Sequence, residues 1–282
     1  MENVYIAFAL TAVAGLSTGI GSILAFFTNK TKPKFLSFSL GFSAGVMIYV
    51  SMIEIFSDAR ESLISELGTV KGSWVTVIAF FGGMFLIGII DKLIPSSENP
   101  HELHSVEEMS ENLSQAGHHA EQVLKREDAI KSRKLLRMGL FTALAIAIHN
   151  FPEGLATFFA ALREPQIAIP IVAAIAIHNI PEGIAVSVPI YYATGSKKKA
   201  FFYSFLSGLS EPLGAIVGYL ILMPFINETL MGIIFALVAG IMVFISLDEL
   251  LPSAREYGEH HLSIYGLVAG MIVLAFSLLL FI

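Results

Sequence analysis

Ile146-Ala147-Ile148-His149-Asn150-Phe151-Pro152-Glu153-Gly154-Leu155-Ala156 returns 29 residues later as Ile175-Ala176-Ile177-His178-Asn179-Ile180-Pro181-Glu182-Gly183-Ile184-Ala185. Each copy sets His, Asn and Glu inside an otherwise apolar run. Ionisable groups in such a run are costly at membrane depth and mark a functional site. On a helix, His149 and Glu153 lie at i and i+4 on one face, and Asn150 lies at i−3 from Glu153 on its flank. The carboxylate is thereby shared between two neighbouring sets of donors, and the second copy repeats the pattern with His178, Asn179 and Glu182. Pro152 and Pro181 each remove a backbone N–H and crowd the carbonyl one turn earlier, at Ile148 and Ile177, which predicts a kink. Imidazole, amide and carboxylate groups converging in two copies suit a divalent metal ion.

The surrounding chain is that of a membrane protein. It has 282 residues, 55% hydrophobic and 14% charged, with a mean hydropathy of +0.74, whereas a soluble domain of this length carries more charge. There are no cysteines, which excludes disulfides and thiolate metal sites. No basic n-region precedes the first apolar run, so no cleaved signal peptide is predicted. Stretches of about 20 apolar residues span a bilayer. Eight are predicted, at 4–27, 35–57, 73–92, 137–160, 166–191, 200–222, 229–250 and 262–282. The expected fold is an all-α polytopic membrane protein with transmembrane helices 1–3 in residues 1–94, a polar loop at 95–136, and helices 4–8 carrying the metal site in 137–282. With both termini outside, 14 of the 17 basic residues fall in cytoplasmic segments, leaving only Arg60, Lys71 and Arg163 outside. The positive-inside rule selects this topology.

A second repeat links the ends of the chain. Gly45-x-Met47-x-x-x-Ser51-x-x-Glu54 in the second span matches Gly240-x-Met242-x-x-x-Ser246-x-x-Glu249 in the seventh, at an offset of 195. Gly15-Leu16-Ser17 matches Gly208-Leu209-Ser210 at 193, and Gly83-Met84 matches Gly270-Met271 at 187. Five spans separate each pair, so the copies face opposite ways. The expected arrangement is 3+2+3 with an inverted repeat of helices 1–3 and 6–8, as in many secondary transporters.

Glu153, Glu182 and Glu211 lie in spans that hold no Lys or Arg. Three carboxylates at membrane depth without a basic partner require protons, water or cations. A polar core that merely glues helices together does not account for two copies of His-Asn-x-Pro-Glu-Gly. Glu54 with Asp58, and Asp248 with Glu249, lie near helix ends and are read either as solvated interface acids or as lining the entrance or exit of a cation path. His260 and His261 are candidate ligands on the cytoplasmic side. The 95–136 loop holds His101, His104, His118 and His119 among many acids; it is read either as a solvated linker or as a weak regulatory metal-binding segment, and outside the transport site in both cases.

His149-Asn150-Phe151-Pro152-Glu153-Gly154 and its second copy, with Ser207-Gly208-Leu209-Ser210-Glu211-Pro212-Leu213-Gly214, resemble the signature of the ZIP family of metal-ion transporters, most closely a bacterial branch of it. The resemblance covers the whole chain. It implies import of Zn²⁺ and related ions into the cytoplasm across the bacterial plasma membrane by alternating access, and a homodimer. It also implies a binuclear site, with His149, Glu153, His178 and Glu182 at one position and Asn150, Asn179 and Glu211 at the other, Glu153 and Glu182 bridging. The donor set lacks thiolate and admits Zn²⁺, Fe²⁺, Mn²⁺ and Co²⁺ as cargo, with no permanent cofactor and no nucleic-acid partner. Two rivals were weighed. An intramembrane metallohydrolase needs an open water position and a Glu base; the His-Glu-x-x-His pattern is absent and the repeats favour transport, so no enzymatic activity is expected. A metal-selective channel shares every feature above. Spans two, four, five and seven are expected to form the mobile unit.

Overall fold

The structure is a computed structural model, and it describes residues 2–27, 33–93, 120–256 and 260–279. The four loop histidines lie outside the described residues. Those that are described form helices joined by short connections, without strands.

Helix α1 (Glu2–Phe27) is the first span. The second is a continuous rod: α2 (Pro33–Val50), a π-helical turn (Ser51–Ile55) and α3 (Phe56–Leu67). Gly68, at φ 79°, ends it, a left-handed conformation that glycine adopts without steric cost. Helix α4 (Thr69–Leu93) is the third span and α5 (Ala120–Arg163) contains the fourth. Residues 120–136 of the expected loop are therefore helical. Helix α6 (Pro165–Thr194) is the fifth span, capped by Gly195 at φ 64°. The sixth comprises α7 (Lys197–Gly208), α8 (Ser210–Val217) and a π-helical turn at Gly218–Leu222. Helix α9 (Glu228–Ile245), a π-helical turn at Ser246–Leu250 and α10 (Leu251–Glu256) make the seventh, and α11 (His260–Leu279) the eighth. The Ser196 and Asn227 side chains accept from Lys199 N (3.3 Å) and Leu230 N (2.8 Å), so helices α7 and α9 begin on capping residues.

Seven of these segments are long and apolar enough to cross a membrane. The remaining span, in α5, is as long but is diluted by His149, Asn150 and Glu153 at its centre. Burial sorts the spans. In α6, 78% of the apolar window is buried, against 22% in α4 and in α11. The exposed faces of the outer helices carry Trp74, Ile78, Phe85 and Phe276, side chains suited to lipid. Both α5 and α6 run through their prolines without interruption.

One correction concerns the second and seventh spans. Glu54 and Glu249 do not sit at helix ends. They lie in π-helical turns within rods that run on to Leu67 and Glu256. Each turn opens on a serine whose hydroxyl donates to the carbonyl one turn back: Ser51 to Met47 O (2.6 Å) and Ser246 to Met242 O (2.7 Å). Such side-chain back-bonding competes with the helix ladder, and single π turns often mark functional positions. Spans two and four each pack on both five and seven. The tightest pairings join α1, α5, α6 and α7–α8 into one group. They join α2–α3, α4, α9–α10 and α11 into another. The reason is backbone proximity at glycines. The space beside Gly45 is filled by Leu267 O, and that beside Gly240 by Phe80 O, which locks α2 to α11 and α9 to α4.

These approaches come in pairs at the repeat offsets. Gly45 and Gly240 are related by 195, and Phe80 and Leu267 by 187. Gly15 and Gly208, related by 193, each face the other's carbonyl. Gly154 faces Glu211 O and Gly183 faces Thr18 O; these residues are related by 29 and 193. The ends of the bundle are also sorted. Asn3 reaches Leu162 O (3.5 Å), Ser62 donates to Glu228 O (3.1 Å), and Arg163 meets Glu228 (3.5 Å), which gathers these residues at one end. Lys197 Nζ reaches Phe26 O (3.4 Å) at the other.

Candidate metal centre

Where α5 crosses α6 the two copies of the motif meet. All seven candidate residues (His149, Asn150, Glu153, His178, Asn179, Glu182 and Glu211) are buried, none more than 1% exposed. The pairing is reciprocal. His149 Nε2 lies 3.3 Å from Glu182 Oε2, and His178 Nε2 lies 3.3 Å from Glu153 Oε1. Each imidazole thus faces the carboxylate of the opposite helix rather than the one i+4 on its own. The four close on one another as two His–Glu pairs. Among the described residues, no group of three or more His, Asp or Glu side chains already surrounds a common metal position. The spacing argument therefore locates the right side chains, while the contacts cross between helices.

Glu211 enters from α8, whose backbone lies against Gly154, and its Oε1 accepts from Asn179 Nδ2. Asn179 Nδ2 also donates to Ala14 O at 3.0 Å. Asn150 makes no side-chain hydrogen bond. Its neighbours leave donors and acceptors to spare. His149 Nδ1, His178 Nδ1, Glu153 Oε2, Asn179 Oδ1 and Glu211 Oε2 are buried without a hydrogen-bond partner, and the His178–Glu153 contact is the only one either of those two side chains makes within the cluster. No Lys or Arg shares an ion pair with the three carboxylates among the described residues. Buried polar atoms are ordinarily paired, and buried charge needs compensation. Unsatisfied imidazole and oxygen atoms gathered in one place have the donor chemistry of a divalent-cation site, and one or two such ions would offset the charge of the three carboxylates.

Sequence reasoning missed Ser43. Its hydroxyl lies 3.3 Å from Glu182 Oε1 and 3.3 Å from His178 O, holding α6 to α2 beside the site. Its repeat equivalent is Val238, so Glu153 has no matching hydroxyl. Thr18, the equivalent of Glu211, is fully buried with its hydroxyl unpartnered. A small polar residue in an apolar helix gave no signal by itself. Aligning Ser43 with Val238 through the repeat would have shown the asymmetry. His261 is exposed beside Tyr265 at the start of α11, while Glu249 is 7% exposed and Glu54 half-buried. Glu249 lies close enough to His149 for its charge to act on that imidazole.

The fold and the site together fit a multi-pass membrane protein of the transporter class, with a cluster of imidazole, amide and carboxylate groups buried among its helices. Comparison with known proteins places it further. The ZIP Zinc transporter family profile matches residues 3–278, and the chain belongs to that family, one of transporters rather than enzymes. It is 63% identical over 282 residues to the zinc transporter ZupT of Clostridium perfringens, covering 100% of this chain and 98% of that one. It is 64% identical over 281 residues to the zinc transporter ZupT of Streptococcus mutans, covering 100% and 99%. The zinc transporter ZupT of Oceanobacillus iheyensis is 61% identical over 280 residues, with 99% of each chain covered.

Proposed function

We propose that this protein carries Zn²⁺ across the plasma membrane into the cytoplasm through a binuclear site. His149, Glu153, His178 and Glu182 would hold one ion and Asn150, Asn179 and Glu211 the second, with the two motif glutamates bridging. The observation that carries this reading is the cluster of buried, partnerless imidazole and oxygen atoms at the α5–α6 crossing, strengthened by the names of the full-length relatives. Imidazole with hard oxygen donors also accommodates Fe²⁺, Mn²⁺ and Co²⁺. The glycine contacts paired at the repeat offsets support the inverted 3+2+3 arrangement. That arrangement suits alternating access around a midplane site, with the repeat relating helices within each of the two packing groups rather than one group to the other.

The seam for such movement runs between the α1/α5/α6/α7–α8 group and the α2–α3/α4/α9–α10/α11 group. The gathering of Asn3, Ser62, Arg163 and Glu228 at one end fits the positive-inside topology, with that end outside. A homodimer belongs to the proposal on the resemblance alone, and light scattering of the detergent-solubilised protein decides it. Purified protein in proteoliposomes should take up zinc saturably from the side bearing Asn3 and Glu228. Flux that rises linearly with concentration would favour the channel over the carrier. Absence of zinc uptake by correctly inserted protein would refute the proposal.

A further inference from the structure

A cavity leads off the candidate centre toward the end of the bundle that carries Asn3 and Glu228. Three oxygen-bearing side chains line it, Asp58, Thr157 and Glu153; apolar side chains, among them Ile171, Ile175 and Phe235, form most of the rest. It lies on the seam between the two packing groups: Asp58 and Phe235 come from α3 and α9, and Glu153, Thr157, Ile171 and Ile175 from α5 and α6. Asp58 is exposed at the surface, and Glu153 is 1% exposed at depth. Thr157 sits one helical turn beyond Glu153 on the same face of α5, 3% exposed.

The Thr157 hydroxyl, like that of Thr18 and unlike those of three other threonines, has no hydrogen-bond partner. Thr11, Thr76 and Thr194 each donate to the carbonyl four residues back, at 2.9, 2.8 and 2.7 Å. That is the default for a helical threonine. Thr157 makes no such bond; its Oγ1 is buried and unpartnered at the wall of the cavity. A buried hydroxyl left unsatisfied is costly, and here it is not spent on the helix that carries it.

We propose that the Thr157 hydroxyl is an oxygen station for a partly hydrated divalent cation passing from Asp58 to Glu153. A cation in a cavity with apolar walls retains or replaces its water shell at every point. Asp58 draws it to the mouth by charge. Thr157 then exchanges hydrogen bonds with the shell one turn short of the bridging carboxylate. The hydroxyl favours ions that travel with water attached, and so contributes to selection before the imidazoles are reached.

This inference rests on the transport reading, and the experiment separates the two. Uptake of zinc and of manganese is measured in proteoliposomes for the native chain, Thr157→Val and Thr157→Ser, with bound zinc per protomer counted in parallel. Thr157→Val keeps the shape and removes the hydroxyl. The half-saturating concentration should rise about fivefold, the worth of one hydrogen bond, more for manganese than for zinc. Bound zinc should be unchanged, and Thr157→Ser should restore most of the affinity. Native kinetics in Thr157→Val would overturn the station, and so would a Thr157→Ser no better than Val. Loss of bound zinc in Thr157→Val would show a packing role instead and also overturn it. An inactive native chain would count against the transport proposal itself.

Discussion

Replacing Gly183 by Ala tests how closely the site is built. Gly183 follows Glu182, and a Cβ there would lie 1.9 Å from Thr18 O, 2.8 Å from Thr18 C and 3.3 Å from Gly21 Cα. Non-bonded carbons rest at roughly 3.5–4.0 Å, so α1 and α6 must separate by about 1.5 Å locally. The obstacle is backbone, which cannot swing aside like a side chain. Overpacking of this kind costs about 1–3 kcal/mol, and the upper half of that range is expected. The functional loss should exceed the stability loss. Separation moves Glu182 and His178 relative to His149 and Glu153, whose cross-helix contacts are both 3.3 Å, and displacements of about 1 Å are enough to spoil a binding constellation. Gly82→Ala is the control, since nothing lies within 4 Å of a Cβ there. The assay pairs thermal denaturation in detergent with zinc content per protomer. Gly183→Ala should be less stable and bind less zinc, with Gly82→Ala indistinguishable from the native chain or slightly more stable. A Gly183→Ala protein with native stability and native zinc content would refute the close approach of α1 and α6 and the placement of the site that depends on it.

Glu153→Gln and Glu182→Gln should each abolish zinc uptake and reduce bound metal, because each removes a charge shared by both proposed positions; normal uptake and metal content in either would make the motif structural. Ser43→Ala removes a single long hydrogen bond to Glu182 and should weaken zinc binding by about fivefold without abolishing uptake; isothermal titration of the purified protein checks this, and an unchanged affinity would mean Ser43 does not position the carboxylate. Protons and metal compete for the same imidazole and carboxylate atoms. Zinc affinity should therefore fall as pH is lowered from the alkaline to the mildly acidic range. An affinity flat across that range would remove His149 and His178 from the ligand set.

Much of the candidate site was legible because its chemistry is local. His149 and Glu153 belong together at i and i+4 in any helix, and the copy at His178 and Glu182 removes the suspicion of chance. What the pattern could not show was that each imidazole turns to the other helix, since helical spacing orders residues along one rod and says nothing about which rod crosses it. The π-helical turns were hidden for a related reason. Hydropathy marks where apolar residues stop, near Ser57 and Leu250, and α3 continues past that point as a polar helix; the register shift at Ser51 and Ser246 is a backbone event with no compositional mark. The packing groups were half visible. Gly45, Gly83, Gly240 and Gly270 were on the page as repeat markers, but which carbonyl each one admits is a property of the assembled bundle.

The departures from the repeat carry as much meaning as the repeat. A perfectly symmetric chain would present the same site to both sides of the membrane. Here the symmetry breaks at two places beside the ligands. Ser43 holds Glu182, and its counterpart Val238 has no hydroxyl to offer Glu153; Glu211 brings a carboxylate to Asn179, and its counterpart Thr18 has only an unpartnered hydroxyl beside Gly208. Glu153 is thus the less restrained of the two bridging carboxylates, and it is also the one that lines the cavity with Asp58 and Thr157. A carboxylate held by an imidazole alone can meet an incoming ion at lower reorganisation cost, while one held by an imidazole and a hydroxyl fixes where that ion comes to rest. On this reasoning Glu153 receives and Glu182 retains. The consequence is directional: Glu153→Asp, which keeps the charge and shortens the reach, should slow uptake more than it weakens zinc binding, and Glu182→Asp should do the reverse. Pre-steady-state uptake beside equilibrium zinc content separates the two, and identical profiles would show that the two halves are functionally equivalent despite their different neighbours.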